Sequence, residues 1–351
     1  MSDHEKTHHS KWRRMAVRPA IAALTVAATI LLAACGGGSG TSASSTSVAA
    51  TSPAKSLQQQ YVDTIGAIGP SVVQVQTSVG LGSGIVLDSK GNVVTNDHVV
   101  GTYKRFQVTD STGKRYAATL VGTFAPDDLA VVHVEGGQLP PAALGDSSKL
   151  QVGDIVLAVG SPLGLQSSVT NGIVSALGRT VSESSGVALP DLIQTSAQIN
   201  PGNSGGALID LSGQVIGIPT LAAIDPENQQ QASGIGFAIP SNTVKSIADQ
   251  LITDGHVVLS NRAYLGVELA TLSSGGGVLV SSVTANAPAA RAGITVGDTI
   301  TTISGHPVQN IEDISVTLAD LKPGDKVALG IRTPQGNTKI VTVTLGQYPG
   351  S

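Results

Sequence analysis

Asn200-Pro-Gly-Asn-Ser204-Gly-Gly-Ala-Leu208 places one serine in a bend between two β-rich runs, with Gly202 before it and Gly205 and Gly206 after it. The glycines let the backbone turn tightly and bring main-chain N–H groups up to a reacting carbonyl. A serine hydroxyl alone is a weak nucleophile, so such a bend calls for a base and an orienting acid elsewhere in the chain.

The base follows by elimination among seven histidines. His4, His8 and His9 precede an export segment and leave with it. His133 lies inside the apolar run Leu129-Ala-Val-Val-His-Val134, the place of a packed or half-exposed strand residue. His256, in Asp254-Gly-His256, and His306, in Gly305-His-Pro307, read as surface turns. His98 remains, where the strand in Val93-Val-Thr-Asn-Asp-His-Val-Val100 ends, after a second glycine-led strand, Gly82-Ser-Gly-Ile-Val-Leu-Asp88. The orienting acid is Asp128, at the start of Asp128-Leu-Ala-Val-Val132. A buried carboxylate beside an imidazole fixes its tautomer and stabilises imidazolium as it forms. Spacing alone also admits Asp127 and Asp97, which read as solvated or turn-capping groups. The order His98, Asp128, Ser204 is that of chymotrypsin-like enzymes. Gly202-Asn-Ser-Gly-Gly206 also fits the G-x-S-x-G elbow of α/β-hydrolases. That alternative needs an acid and then a histidine downstream, and strands alternating with helices. Residues 70–220 show almost no helical periodicity.

Composition sets the compartment. Lys11, Arg13, Arg14 and Arg18 precede the apolar run Ala20–Ala34, which has the length of a signal h-region and is short for a membrane span. It ends in Leu32-Ala-Ala-Cys35, similar to a bacterial lipobox, so residues 1–35 are expected to be a signal peptide with acylation of Cys35. Cys35 is the only cysteine, which excludes an internal disulfide and leaves stability to apolar cores. The chain is 41% hydrophobic and 3% aromatic. Without residues 1–34 it carries 15 basic and 22 acidic groups, a net charge of −7. Nothing there favours nucleic acid as a partner. No zinc-site spacing, P-loop or dinucleotide fingerprint is present, and no metal or cofactor is expected.

Residues 36–56, Gly/Ser/Thr/Ala-rich, read as a flexible tether. Leu57–Ile68 reads as a short helix, and residues 71–240 as short β-runs broken by Gly, Pro and Asn. Gly178–Pro190 and Asp225–Ser233 read as loops. Ser241–Ile252 has apolar residues at 244, 247, 248, 251 and 252, a helical spacing with a Ser/Asn cap, closed by Asp254-Gly255.

Several ordered segments carry a resemblance. Gly82-Ser-Gly-Ile-Val, Val94-Thr-Asn-Asp-His-Val-Val, Asp128-Leu-Ala-Val-Val, Ala158-Val-Gly-Ser-Pro-Leu-Gly-Leu, Ile199-Asn-Pro-Gly-Asn-Ser-Gly-Gly-Ala-Leu and Gly234-Ile-Gly-Phe-Ala-Ile-Pro occur in this order. Over residues 60–347 the chain resembles the HtrA (Deg) family of trypsin-like serine proteases. The fold implied is mainly β: a chymotrypsin-like double β-barrel over residues 57–255, then a small α+β PDZ domain over 262–347. The resemblance makes His98 the general base, Asp128 its orienting acid and Ser204 the nucleophile. It places the oxyanion hole at the N–H groups of Gly202 and Ser204, with Asn203 in the same loop. It also implies a homotrimer and loops that respond to activators. The PDZ pieces are Tyr264-Leu-Gly-Val267, Ser281–Ile294 and Gly297–Gly305. Tyr264, Leu265, Gly266 and Val267 would form the carboxylate loop and Ile314–Leu321 the groove helix, binding C-terminal peptides. Ser196 and Pro219 depart from the Asp and Asn common in the family, and the long insertion between the first strands is absent, which disfavours large cages. Gln194–Ile199 contains no acid, so cleavage after small or medium apolar residues of unfolded exported proteins is expected. The rival class is a chaperone or PDZ scaffold with an inactive protease fold.

Overall fold

The computed structural model describes residues 53–78, 80–161, 168–182, 188–200, 202–224, 231–272 and 276–350. The export segment, Cys35 and nearly all of the tether lie outside the described residues. Helix α1 spans Pro53–Ile68, starting four residues before the sequence pattern predicts.

Strands β1 (Val72–Gln76), β2 (Leu81–Val86) and β3 (Asn92–Thr95), a one-turn helix α2 (Asp97–Val100), then β4 (Arg105–Thr109), β5 (Arg115–Phe124) and β6 (Leu129–Val134) make the first barrel. It closes in the order β1-β2-β3-β6-β5-β4. Strands β7 (Ile155–Gly160), β8 (Ser168–Ser182), β9 (Ala188–Thr195), β10 (Ala207–Asp210), β11 (Val215–Ile224) and β12 (Gln231–Pro240) close the second as β10-β11-β12-β9-β8-β7. Closure removes the open edges that such strands would present. Two closed antiparallel barrels rule out the α/β-hydrolase alternative.

The apolar runs have a physical origin. Side chains alternate across a strand, so a strand buried on both faces is apolar throughout. In β6, Ala130, Val132 and Val134 fill the first barrel, while Leu129 and Val131 enter a core shared with the second. In β7, Val156 and Ala158 face the second barrel's own core, and Leu157 and Val159 face the shared one. Helix α3 (Ser241–Asp254) closes that shared core with Val244, Ile247, Ala248 and Leu251. It ends at Gly255 in the left-handed region, as the sequence predicts. The Ser/Asn cap is not formed: Pro240 is the N-cap, and the Ser241 hydroxyl donates to the Gly145 carbonyl at 2.8 Å.

Two expected loops are shorter than predicted. Gly178–Ser182 and Ala188–Pro190 belong to a β8–β9 ribbon that pairs Arg179 with Leu192, Val181 with Leu189 and Ser182 with Ala188. Ladder hydrogen bonds between backbones sustain this ribbon, so its polar side chains hide it from a hydropathy pattern. Gln231–Ser233 similarly begins β12.

A separate small unit follows: β13 (Ala263–Tyr264), β14 (Val267–Thr271), β15 (Val278–Val283), α4 (Pro288–Arg291), β16 (Thr299–Ile303), β17 (His306–Pro307), α5 (Ile311–Ala319), β18 (Lys326–Arg332), β19 (Thr338–Thr344) and β20 (Gly346–Gln347). Its sheet runs β14-β15-β16-β18-β19 around its own core of Leu265, Val280, Ile300, Ile314 and Leu329 among others. His306 sits in β17 instead of a turn. The groove helix begins at Ile311, three residues early, behind an Asn310–Asp313 capping box. The chain end returns to the start of the unit, since β20 pairs with β13.

The junction with the barrels is polar and buried. Asp127, expected to be solvated, is only 7% exposed and pairs with Arg262 at 2.8 Å. The Arg262 guanidinium also donates to the carbonyls of Pro126 and Ala188. Tyr348 stacks edge-on against Phe124 of the barrel and Tyr264 of the small unit, at 6.0 and 5.3 Å between ring centroids.

Candidate active site

His98 and Asp128 of the first barrel meet directly, and Thr220 of the second barrel links Asp128 to Ser204, with His98, Asp128 and Ser204 coming from three separate stretches. β3 ends in Thr95, and α2 then presents His98, whose side chain is 43% exposed. Asp128 ends a single 3-10 turn, Ala125–Asp127, and takes left-handed backbone angles of φ 49 and ψ 45. Short Asp side chains tolerate that region better than most. The turn aims a carboxylate that is 3% exposed straight at His98.

Asp128 is fully engaged. It accepts from the His98 backbone N–H at 3.0 Å and faces His98 Nδ1 at 2.9 and 3.0 Å. The Thr220 hydroxyl donates to its other oxygen, and Asn96 Nδ2 donates to its carbonyl at 2.9 Å. Nδ1 therefore carries the imidazole proton, and Nε2 is left as the acceptor. Asp97, beside His98, is half-buried, and its carboxyl is raised above the ordinary range by burial and then by the charge of Asp128.

Ser204 Oγ lies 3.3 Å from the Thr220 carbonyl. Thr220 thus touches both ends of the arrangement, hydroxyl to Asp128 and carbonyl to Ser204. Sequence reading gave Thr220 no role, because a threonine in an apolar strand carries no local signal of a partner 92 residues away.

The turn around Ser204 is fixed by its backbone. Gly202 has φ +102 and Gly205 φ +80. A Cβ on Gly205 would meet the Ser83 carbonyl at 2.2 Å, and one on Gly206 the Val159 carbonyl at 2.4 Å. Both glycines are needed for close approach, as the sequence implies. The N–H of Asn203 donates to Asn200 O at 3.0 Å, and its side-chain amide to Gln198 O at 3.4 Å. Asn203 therefore shapes the turn, with its backbone N–H already engaged.

Ser196 Oγ accepts from the Ile173 N–H at 3.0 Å, so it braces the strand beside the expected specificity pocket. Ile199 is buried against Gly236, where a Cβ would meet it at 2.4 Å. His133 is half-buried and reaches Asn92 at 3.3 Å, while His256 and His306 are exposed. Among the described residues, no cluster of three or more His, Cys, Asp or Glu is arranged to hold a metal.

In the small unit, Leu265 and Gly266 link β13, which ends at Tyr264, to β14, which starts at Val267, so the loop expected over Tyr264–Val267 is two residues long. Gly266 has φ +81, and a Cβ there would meet Ala287 at 2.2 Å. β14 is an edge strand of the sheet, bonded on one side to β15.

Comparison with known proteins places these features in context. A trypsin-like peptidase domain profile matches residues 82–218 and a PDZ domain profile residues 263–345. Serine protease PepD of Mycobacterium tuberculosis is 39% identical over 324 residues, 86% of this chain and 69% of that protein. The periplasmic pH-dependent serine endoprotease DegQ of Escherichia coli is 39% identical over 278 residues, 76% of this chain and 59% of DegQ. The chain thus spans somewhat over half the length of this longer relative. Among solved structures, the HtrA-type protease AlgW with a decapeptide superposes with a TM-score of 0.55 at 30% identity, covering 82% of this chain and 99% of that one. A serine endoprotease from Yersinia pestis gives 0.54 at 34% identity, covering 82% and 97%.

Proposed function

The chain belongs to the HtrA family of trypsin-like serine proteases with a PDZ domain, and from that premise we propose that it is an ATP-independent endopeptidase of unfolded proteins outside the cytoplasm. The observation that carries this reading is the hydrogen-bonded line from Asp128 to His98 Nδ1, with Thr220 joining Asp128 to Ser204. His98 Nε2 takes the Ser204 proton as Oγ attacks the carbonyl carbon of the scissile bond. Asp128 holds the Nδ1–H and stabilises the imidazolium. The N–H groups of Gly202 and Ser204 receive the oxyanion. Collapse breaks the C–N bond, and His98 returns the proton to the leaving amine. Water, deprotonated by His98, then attacks the acyl ester and restores Ser204. No metal or cofactor takes part.

Substrate choice follows from the pocket wall. Gln194–Ile199 offers no acid, and Ile199 fills space beside Gly236. Small or medium apolar side chains suit such a pocket, and these are buried in folded proteins, which favours unfolded ones. The open edge of β14 beside Tyr264–Val267 supports capture of peptide C-termini by strand addition, with α5 along the groove. Peptide-bound AlgW and periplasmic DegQ support peptide recognition and an extracytoplasmic location. Attachment to the membrane through an acylated Cys35, and assembly as a homotrimer, complete the proposal.

The test compares the exported chain with Ser204→Ala on an unfolded protein, with and without a hydrophobic C-terminal peptide. Loss of the nucleophile should slow cleavage by several orders of magnitude. If neither protein cuts while both bind the unfolded chain, the chaperone or scaffold function replaces the enzyme.

A further inference from the structure

The segment Gly82-Ser-Gly84 has no part in the chemistry above, yet one of its residues is bonded to the turn that carries Ser204. Ser83 is completely buried in β2 of the first barrel. Its hydroxyl donates to the Gly202 carbonyl at 2.5 Å and accepts from the Ser161 N–H at 2.8 Å. Its backbone N–H donates to the Ser204 carbonyl at 2.9 Å, and its carbonyl accepts from the Thr95 hydroxyl at 2.7 Å. The flanking glycines allow this depth. A Cβ on Gly82 would meet Val99 at 2.7 Å, and one on Gly84 would meet Val93 at 2.6 Å.

We propose that Ser83 is a positioning residue for the oxyanion-forming turn. The inference rests on the endopeptidase reading of Ser204. Two peptide planes of the turn are held at both ends. In the 202–203 plane, Gly202 O is held by Ser83 Oγ and Asn203 N by Asn200 O. In the 204–205 plane, Ser204 O is held by Ser83 N and Gly205 N by Pro219 O at 3.1 Å. The N–H groups that would receive the oxyanion, those of Gly202 and Ser204, lie in the planes interleaved with these two. The 203–204 plane has its carbonyl held by Gly206 N at 2.9 Å. With the neighbouring planes fixed, the two donors converge without reorganising during the reaction, which is what oxyanion stabilisation requires. A serine hydroxyl has one proton to donate, and here it goes to Gly202 O. Deleting Oγ leaves Gly202 O and Ser161 N without that partner, and the 202–203 plane is then tied at one end only.

The experiment uses the full chain, Ser83→Ala, Ser83→Thr and Ser204→Ala. A fluorophosphonate titrates reactive Ser204, so rates are expressed per titrated site and are insensitive to loss of folded protein. For Ser83→Ala, kcat per site should fall about 10- to 100-fold, short of the ~10²- to 10³-fold loss of an oxyanion donor itself. KM should stay within about twofold, since ground-state contacts are untouched. Affinity for a peptide boronate, which mimics the tetrahedral adduct, should fall in parallel with kcat. Ser83→Thr, which keeps the hydroxyl, should recover most of both. Unchanged kcat per site and boronate affinity in Ser83→Ala would overturn the inference, as would a loss confined to KM. Failure of the unsubstituted chain to react with the fluorophosphonate would overturn the endopeptidase reading and this inference with it.

Discussion

Replacing Arg262 with Met removes the cation paired with Asp127, the residue before Asp128, and keeps most of the side-chain volume. Asp127 is left in a site where its carboxyl already sits at about 6, pushed up by burial, with Arg262 pulling the other way. Relative to its ordinary 3.8, that is a penalty of about 3 kcal/mol for holding the carboxylate in the folded chain near neutral pH. Without Arg262 the group would fold protonated instead. Protonating it near pH 7 costs about 4 kcal/mol, which caps the damage, so loss of the ion pair adds only about 1 kcal/mol. The carbonyls of Pro126 and Ala188 also lose their donor, at about 1 kcal/mol each. The expected total is a destabilisation of about 3 kcal/mol at pH ~7, read by urea unfolding of the exported chain. The deficit should shrink toward pH ~5, where Asp127 is protonated in both proteins and only the carbonyl contribution remains. Asp127→Leu combined with Arg262→Met should recover part of the loss, since no charge is then buried. A deficit under about 0.5 kcal/mol, the range of an ordinary surface substitution, would mean that the junction is not buried as described. A deficit equal at both pH values would mean that the cost is not electrostatic.

Three further outcomes follow from the geometry. Thr220→Val should lower kcat/KM about tenfold or more, since it removes a hydrogen bond to a charged group while keeping shape; wild-type kinetics with chromogenic peptide would exclude Thr220 from support of Asp128. Gly205→Ala should abolish activity and lower the thermal midpoint, because its Cβ has no room at φ +80; a stable, active protein would show that the turn is not packed against Ser83. The third concerns pH. Asp127 holds its proton more tightly folded than unfolded, so its contribution to stability rises as pH falls through the window from about 6 to 3.8 and is least above it. Measured against Asp127→Asn, the wild-type chain should therefore gain relative stability on acidification through that window, and a flat difference would refute the assignment.

The candidate residues proposed for the reaction were picked out by local sequence signals, and the residues that contact them were not. Ser204 announced itself by three close glycines, His98 by elimination, and Asp128 by its place before a wholly apolar strand. Each signal is local. Thr220 and Ser83 act through partners 92 and 119 residues away, and nothing beside them in sequence marks those contacts. The barrels were legible for a related reason: strands shared between two cores read as unbroken apolar runs. The β8–β9 ribbon was misjudged because ladder hydrogen bonds, which leave no trace in hydropathy, hold it together. Asp127 was misjudged because a carboxylate in a turn is usually solvated, and its partner Arg262 lies 135 positions further on.

These misses share a direction, and the direction bears on how the molecule works. The atoms that would break a peptide bond come from short motifs, but their alignment is supplied from elsewhere. Ser83 reaches from the first barrel into a turn of the second, and Thr220 from the second barrel back to Asp128 of the first. A small separation of the barrels would therefore disturb the Ser204 turn and Asp128 together. Arg262 extends the same logic to the PDZ domain, because its partner Asp127 immediately precedes Asp128 and ends the same 3-10 turn. A change in how that domain is seated can reach Asp128 through one residue. The aromatic contacts of Tyr348 run alongside it, from Tyr264 at the end of β13 to Phe124 at the head of that turn. On this geometry, substitutions at Ser83 and Arg262 should differ in kind. The first should lower turnover per reactive serine whatever fraction of the protein is folded, and the second should lower stability first and turnover only as Asp128 moves.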